Sequence, residues 1–259
     1  MPVVLLHGSG PGVSGWANFN GQLALFSQYF RCLVLDLPGF GRSELGEDQH
    51  PMADAAAAVI RFSDGLGLSG ARFVGNSMGA GVTAAVALQR PDLVARFVAI
   101  GGIGVNIFSS MPSEGMRLLV DFVEEPSRAN LIRWLYSMVH DPAFVTEEMI
   151  QSRFDRATEP QALEAMRRLY SRSAFAAISR QMTGADSTPQ WATLAKITCP
   201  TLLVWGRDDR VSPIDMALLP MRVMPRCELH TFPDCGHWVM LERKQEFEDV
   251  VLSFLSRAG

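Results

Sequence analysis

Lysine, cysteine and long apolar runs are all scarce in this 259-residue sequence, and each scarcity removes a class of function. Lys196 and Lys244 are the only lysines, the other basic residues being arginine, and no basic stripe gathers anywhere. Nucleic-acid binding replaces phosphate counterions with a dense cationic face. A formal net charge of −4 without such a face leaves no nucleic-acid partner to expect. Cys32, Cys199, Cys227 and Cys235 show no CxxC spacing, so neither a zinc site nor a redox motif is expected. Four thiols in a chain this long suit a reducing cytoplasm better than a disulfide framework, and each reads as a small buried hydrophobe. No stretch approaches the roughly 20 apolar residues of a membrane helix. Met1 to Leu6 lack the charged start and cleavage site of a signal peptide. Repeats and low-complexity segments are missing too.

What is present is a globular composition, 48% hydrophobic, long enough for one large α/β domain. Apolar runs of strand length recur at Val3–Leu6, Cys32–Leu35, Arg72–Val74, Phe97–Ile100, Thr201–Trp205 and Cys227–Phe232. Such continuous runs suit parallel strands buried on both faces. Helical patterns fall between them, at about residues 53–66 and 79–89, and close the chain at 242–256 with Phe247, Val250, Val251 and Phe254 on one face. The alternation predicts a mainly parallel, doubly wound sheet. From about 105 to 195 it stops. That stretch is rich in Met, Arg and helix formers, with prolines at 112, 126, 142, 160 and 189. It reads as a helical cap inserted between two sheet strands, with 1–104 and 196–259 forming one core.

Gly75-Asn76-Ser77-Met78-Gly79 fits G-x-S-x-G between a strand and a helix. A strained strand-to-helix turn lifts the serine hydroxyl from the sheet, and side chains at either glycine would strike neighbouring backbone. The same turn aims the Met78 N–H at a developing oxyanion. A serine needs a base. Of the five histidines, His230 lies inside a strand, His50 precedes a proline, His140 lies in the cap and His7 belongs to a glycine loop. His237, in the loop after the last strand, is left as the base. The acid should follow the Thr201–Trp205 strand, where Asp208 and Asp209 stand side by side. Asp208 is assigned to orient the imidazole, and Asp209 is read as a turn residue that bonds its own backbone. The order Ser, Asp, His is that of the α/β-hydrolase fold. After the first strand, the glycines of His7-Gly8-Ser9-Gly10-Pro11-Gly12 let backbone approach a ligand, so the second oxyanion N–H is placed near Ser9 or Gly10. Neither a Gly-Lys-Ser/Thr phosphate loop nor dinucleotide spacing is present there.

His7–Gly12 with Trp16-Ala17-Asn18-Phe19, Asp36–Ser43, Gly75–Gly79, Trp205–Arg210 and Gly236-His237-Trp238 together resemble the meta-cleavage-product hydrolases over essentially the whole chain. The Gly-Ser-Gly-Pro-Gly stretch with its following Trp-Ala-Asn, and the His-Trp pair, are the most selective pieces. The resemblance implies hydrolysis of a carbon–carbon bond in a 2-hydroxy-6-oxohexa-2,4-dienoate. Ketonisation comes first; then water or Ser77 attacks the distal carbonyl. The products are a 2-hydroxypenta-2,4-dienoate and a carboxylic acid, with no metal or organic cofactor. It further implies that Asn18, Asn76 and a cap arginine, Arg153, hold the dienoate end while Trp238 packs against it. The expected partner is thus a small-molecule dienoate, with a homodimer or larger homo-oligomer also implied.

The sequence departs from that family in two places. Members carry an antiparallel hairpin ahead of the first motif, whereas this chain begins at the strand leading to His7, so the hairpin is expected to be missing and a sheet edge exposed. Ala143 stands where members can have a substrate-facing serine. A carboxylesterase or lactonase on the same triad, and a non-catalytic receptor on the same fold, are the competing readings. A haloalkane dehalogenase is disfavoured because its nucleophile is an aspartate. The substrate's C6 substituent is not legible. Phe108, Met111, Met116, Phe144, Met149 and Phe175 read as either a wide apolar pocket or the cap's own core.

Overall fold

The structure, a computed structural model, describes residues 1–46, 50–183 and 190–257, without the side chains of residues 178, 179, 181–183 and 190. Pro189, one of the prolines used above to delimit the cap, lies outside the described residues. Six strands form one parallel sheet: β1 (Pro2–Leu6), β2 (Arg31–Leu35), β3 (Ala71–Asn76), β4 (Val94–Ile100), β5 (Thr201–Gly206) and β6 (Cys227–Phe232), in the order β2-β1-β3-β4-β5-β6. All six expected runs are strands. Burial on both faces holds for the four central ones and fails at the edges. β2 is only half-buried, and β6 exposes Glu228 and Thr231 while burying Phe232 alone. A strand with one neighbour is covered less, and its apolar run does not reveal its place in the sheet.

Helices α1 (Gly15–Phe26), α2 (Pro51–Gly65), α3 (Met78–Gln89) and α12 (Lys244–Ser256) pack against the sheet. Helix α1 was not anticipated. Gly15, Asn18, Asn20 and Gly21 are poor helix formers; the helix is set by the Ser14 hydroxyl, which accepts the Ala17 N–H at 3.1 Å, and by burial of Phe19 and Phe26. In α12 the buried face is Phe247, Val251, Phe254 and Leu255, with Val250 at its margin.

Between β4 and β5 the chain makes α4 (Glu114–Glu124), α5 (Arg128–Met138), α6 (Glu147–Ala157), α7 (Pro160–Tyr170), α8 (Arg172–Thr183) and α9 (Gln190–Leu194), with no strand among the described residues. Ser113, Ser127 and Thr146 cap α4, α5 and α6 by accepting amides three residues on. Leu119, Phe122, Leu131, Trp134 and Leu135 are buried along α4 and α5, each contributing about 1.5–3 kcal/mol of transfer free energy. Met116, Phe144 and Met149 pack against the core, whereas Phe108 and Met111 are exposed. Those two lie on the segment leading out of β4, so they line neither an inner pocket nor a cap core. Helices α10 (Leu218–Val223) and α11 (Val239–Glu242) flank β6. No helix among the described residues is long and apolar enough to cross a membrane.

Chain order reverses direction across the sheet between β1 and β3, which are neighbours. In open α/β sheets the crevice beyond the carboxyl ends at such a reversal is where ligands bind. Here the glycine loop follows β1 and the Ser77 turn follows β3.

Candidate active site

Ser77 sits between β3 and α3 with φ 51° and ψ −113°, a backbone region that costs a non-glycine residue about 1–3 kcal/mol. Its N–H is held by the Ile100 carbonyl at 2.8 Å, and its own carbonyl accepts the Ala80 N–H at 2.9 Å. A side chain on Gly79 would overlap the Leu6 carbonyl, so the turn closes only with glycine there. Met78 is the first residue of α3, whose leading amides have no acceptor within the helix. The glycine loop lies alongside: a Cβ added to Gly8 would fall 3.2 Å from Cβ of Ser77 and 2.9 Å from Oδ1 of Asn76.

His237 approaches from the loop after β6. A Cβ added to Gly101, at the end of β4, would fall 3.1 Å from its Cε1. The carboxylate against the imidazole belongs to Asp209 and not to Asp208. Oδ2 of Asp209 lies 2.7 Å from Nδ1 of His237, with both side chains buried. Oδ1 of Asp209 accepts the amides of Val211 and Ser212 at 2.8 Å each. The turn role read for Asp209 is therefore real, but it occupies one oxygen and leaves the other for the histidine. Asp208 points the opposite way, to Arg207 and to Nδ1 of His140 at 3.2 Å. Partial burial raises its pKa, and Arg207 and His140 outweigh that and hold it below the usual carboxylate range. The swap is set by a turn. β5 ends at Gly206, the Asp209 amide donates back to the Gly206 carbonyl at 3.3 Å, and the Arg207 and Asp208 amides are held by the Phe232 and Cys235 carbonyls at 2.9 Å each, so the turn leaves Asp208 outside and carries Asp209 inward.

The base loop is braced from two further sides. Its His237 amide donates to the Met138 carbonyl at the end of α5 at 2.8 Å. Glu242 accepts the amides of Gly236, His140 and Asp141 at 2.6, 2.7 and 3.0 Å, tying the loop to the inserted helices. Sequence reasoning missed Glu242, since nothing local marks a helix glutamate as a clamp for a distant loop.

His7 is buried and neutral. Its Nε2 accepts the Leu37 amide at 2.9 Å, which leaves Nδ1 to donate to the Gly8 carbonyl at 2.6 Å. Burial lowers its pKa to about 4. The ring thereby locks the glycine loop to the segment after β2. The Ser9 hydroxyl meets the Tyr170 phenol from the end of α7, a partner that the sequence did not suggest.

The remaining residues form a polar seat around the glycine loop. Oδ1 of Asn18 accepts the Gly8 amide at 3.2 Å, and its Nδ2 is buried without a partner. Nδ2 of Asn76 donates to the Ile100 carbonyl at 3.1 Å. Arg153, from α6, donates to the Pro11 carbonyl at 3.2 Å and stacks its guanidinium 4.9 Å above the Trp238 ring. Burial, and secondarily Arg156, lower its pKa to about 10. Asn18, Arg153 and Trp238 thus collect around the glycine loop. Ala143 has its amide held by the Asp141 side chain at the surface. His140, Asp208 and Asp234 form a polar cluster of metal-ligand types on the outside, but Asp208 and Asp234 are both already paired with Arg207. No cluster of metal-ligand residues surrounds Ser77 among the described residues.

The chain is similar to known proteins over nearly its whole length. Residues 3–250 match the family described as the alpha/beta hydrolase family. A 2-hydroxy-6-oxononadienedioate/2-hydroxy-6-oxononatrienedioate hydrolase of a Pseudomonas species is 36% identical over 98% of this chain and 88% of its own length. Among solved structures, a meta-cleavage product hydrolase of Pseudomonas fluorescens superposes with TM-score 0.88 at 28% identity, covering 100% of this chain and 92% of that one. A 2-hydroxy-6-oxo-6-phenylhexa-2,4-dienoate hydrolase of Rhodococcus superposes with TM-score 0.87 at 25% identity, covering 99% and 90%.

Proposed function

Since this chain belongs to the alpha/beta hydrolase family, and within it to the meta-cleavage-product hydrolases that cleave carbon–carbon bonds, we propose that it hydrolyses a 2-hydroxy-6-oxohexa-2,4-dienoate through Ser77, His237 and Asp209. The observation that carries the triad is the buried pair between Asp209 Oδ2 and His237 Nδ1 at 2.7 Å, beside the strained Ser77 turn. Asp209 fixes the tautomer that leaves Nε2 free and stabilises the imidazolium. His237 moves protons in both stages: ketonisation of the dienol, then addition of water or Ser77 to the C6 carbonyl. The Met78 amide and the Ser9/Gly10 loop stabilise the resulting oxyanion. Breaking the C5–C6 bond, with a proton delivered to C5, releases a 2-hydroxypenta-2,4-dienoate, and water supplies the oxygen of the carboxylic acid. Asn18, Asn76 and Arg153 hold the dienoate end, and Trp238 packs against it. Residues 105–195 act as the cap over this chemistry and 1–104 with 196–259 as its core, in a cytoplasmic homo-oligomer.

The test is the loss of visible colour when purified protein meets a 6-phenyl dienoate. Rapid fading that falls by about 10⁴ or more in Ser77→Ala is expected. No fading, with brisk hydrolysis of a simple aryl ester, would replace the dienoate reading by an esterase.

A further inference from the structure

Polar atoms buried without a partner are rare, because each forfeits the hydrogen bond that water gave it. Among the described residues two side-chain atoms are in that state, Nδ2 of Asn18 and Nε1 of Trp134. Both are donors, and both side chains touch the same glycine loop. Asn18 binds the Gly8 amide through its other end. Trp134 lays the benzo edge of its ring against Gly10, where an added Cβ would fall 2.6 Å from Cη2 and 2.9 Å from Cζ2. Trp134 also meets Trp238 edge-on, ring centroids 6.1 Å apart at 82°. Trp238 in turn carries the Arg153 guanidinium on its face. Two orphaned donors and one desolvated cation therefore surround one loop, and the two orphans share the lack of an acceptor. A buried tryptophan normally finds a partner for its N–H. Trp205 of this chain does so, donating to the Ser212 carbonyl at 2.7 Å.

We propose that the Trp134 indole N–H is a substrate-positioning donor, which completes its hydrogen bond on an oxygen of the dienoate's carboxylate end. This rests on the dienoate reading above and adds a residue from α5 to the seat. An indole N–H is a donor only and carries no charge. It thus favours a ligand oxygen over a cation or a hydrocarbon, and it rewards correct orientation where Arg153 rewards charge. Its contribution falls on binding more than on the chemical step, so its loss should raise KM on the order of tenfold, the range for a hydrogen bond to a charged group, with kcat nearly unchanged.

The test uses full-length protein and a 6-phenyl dienoate. Indole N–H resonances of the five tryptophans are followed in Ser77→Ala protein, which binds without cleaving, as the dienoate is added. The Trp134 signal is identified by its absence when Trp134 carries a benzothiophene side chain, which keeps the ring shape and removes only the N–H. A downfield move of the Trp134 resonance with Trp205 unmoved is expected, together with the KM rise in the benzothiophene protein and in Trp134→Phe. Cleavage by wild type with the Trp134 resonance unmoved at saturation would overturn the proposal and leave the hydrolase intact. No cleavage by wild type would instead fell the dienoate reading. In that case, Trp134 stands if its resonance still moves with bound dienoate and falls if it does not.

Discussion

The rim of the sheet and the inserted helices build one site by different means. At the rim, function is a property of backbone. Glycines close turns that no other residue fits, and the amides of Ser77, Asp209 and His237 are held by the Ile100, Gly206 and Met138 carbonyls. In the inserted helices, the proposed site is a matter of side-chain reach. Arg153, Trp134 and Tyr170 project from α6, α5 and α7 onto the glycine loop, with side-chain caps starting α5 and α6. The contrast teaches that changes at the rim should strike the chemical step or the fold. Changes in the helices should strike binding.

The largest test compares adjacent residues of the rim. Asp209→Asn should lower kcat by roughly 10⁴, because it removes the acceptor from His237 Nδ1. Asp208→Asn, which loses only half-exposed pairs with Arg207 and His140, should change kcat less than about threefold. Equal effects from steady-state rates would erase the distinction.

Arg153→Gln tests the helices. Removing a desolvated cation from the carboxylate seat should raise KM by about 10–100-fold, with a smaller change in kcat. A fall confined to kcat would move Arg153 to the chemical side of the comparison.

His7 tests whether the rim is also a stability device. Its folded pKa of about 4 lies below the usual 6.5 because burial disfavours its charged form. Between those values the unfolded chain binds more protons than the native one, so stability rises with pH through that window. The contribution is fully present above about pH 6.5 and is lost towards pH 4, amounting to about 3 kcal/mol. Urea unfolding of wild type and His7→Gln should show the wild-type curve losing more stability over that interval.

A further test falls on the contact that joins the two regions. Tyr170→Phe removes the phenol from the Ser9 hydroxyl and should cost about tenfold in kcat/KM. Ser9→Ala should cost a similar amount, and the double variant little more than either. Additive losses would show that the pair does not act as a unit.

How much was legible in the chain follows the same division. The six strands were readable because buried parallel strands are continuous apolar runs with turn residues at their ends. The Ser77 turn was readable because its steric demand is written in five consecutive residues. Helix α1 was not, since its residues resist the helix that one serine cap and two buried phenylalanines impose. The choice between Asp208 and Asp209 was not either. Both satisfy every local rule, and the turn after β5, held by bonds to Phe232 and Cys235 of a distant segment, takes one inward and leaves the other out.

Order along the chain was therefore sufficient for the fold, the Ser77 turn and the loop position of His237, because each is specified by residues close in sequence and by backbone sterics that act over a few bonds. The Asp209–His237 pair, the Glu242 clamp, the Tyr170–Ser9 contact and the unpaired Trp134 N–H became visible only through space. They join residues 28, 6, 161 and more than a hundred positions apart. Their meaning lies in burial and direction, which a side chain acquires from the elements packed around it.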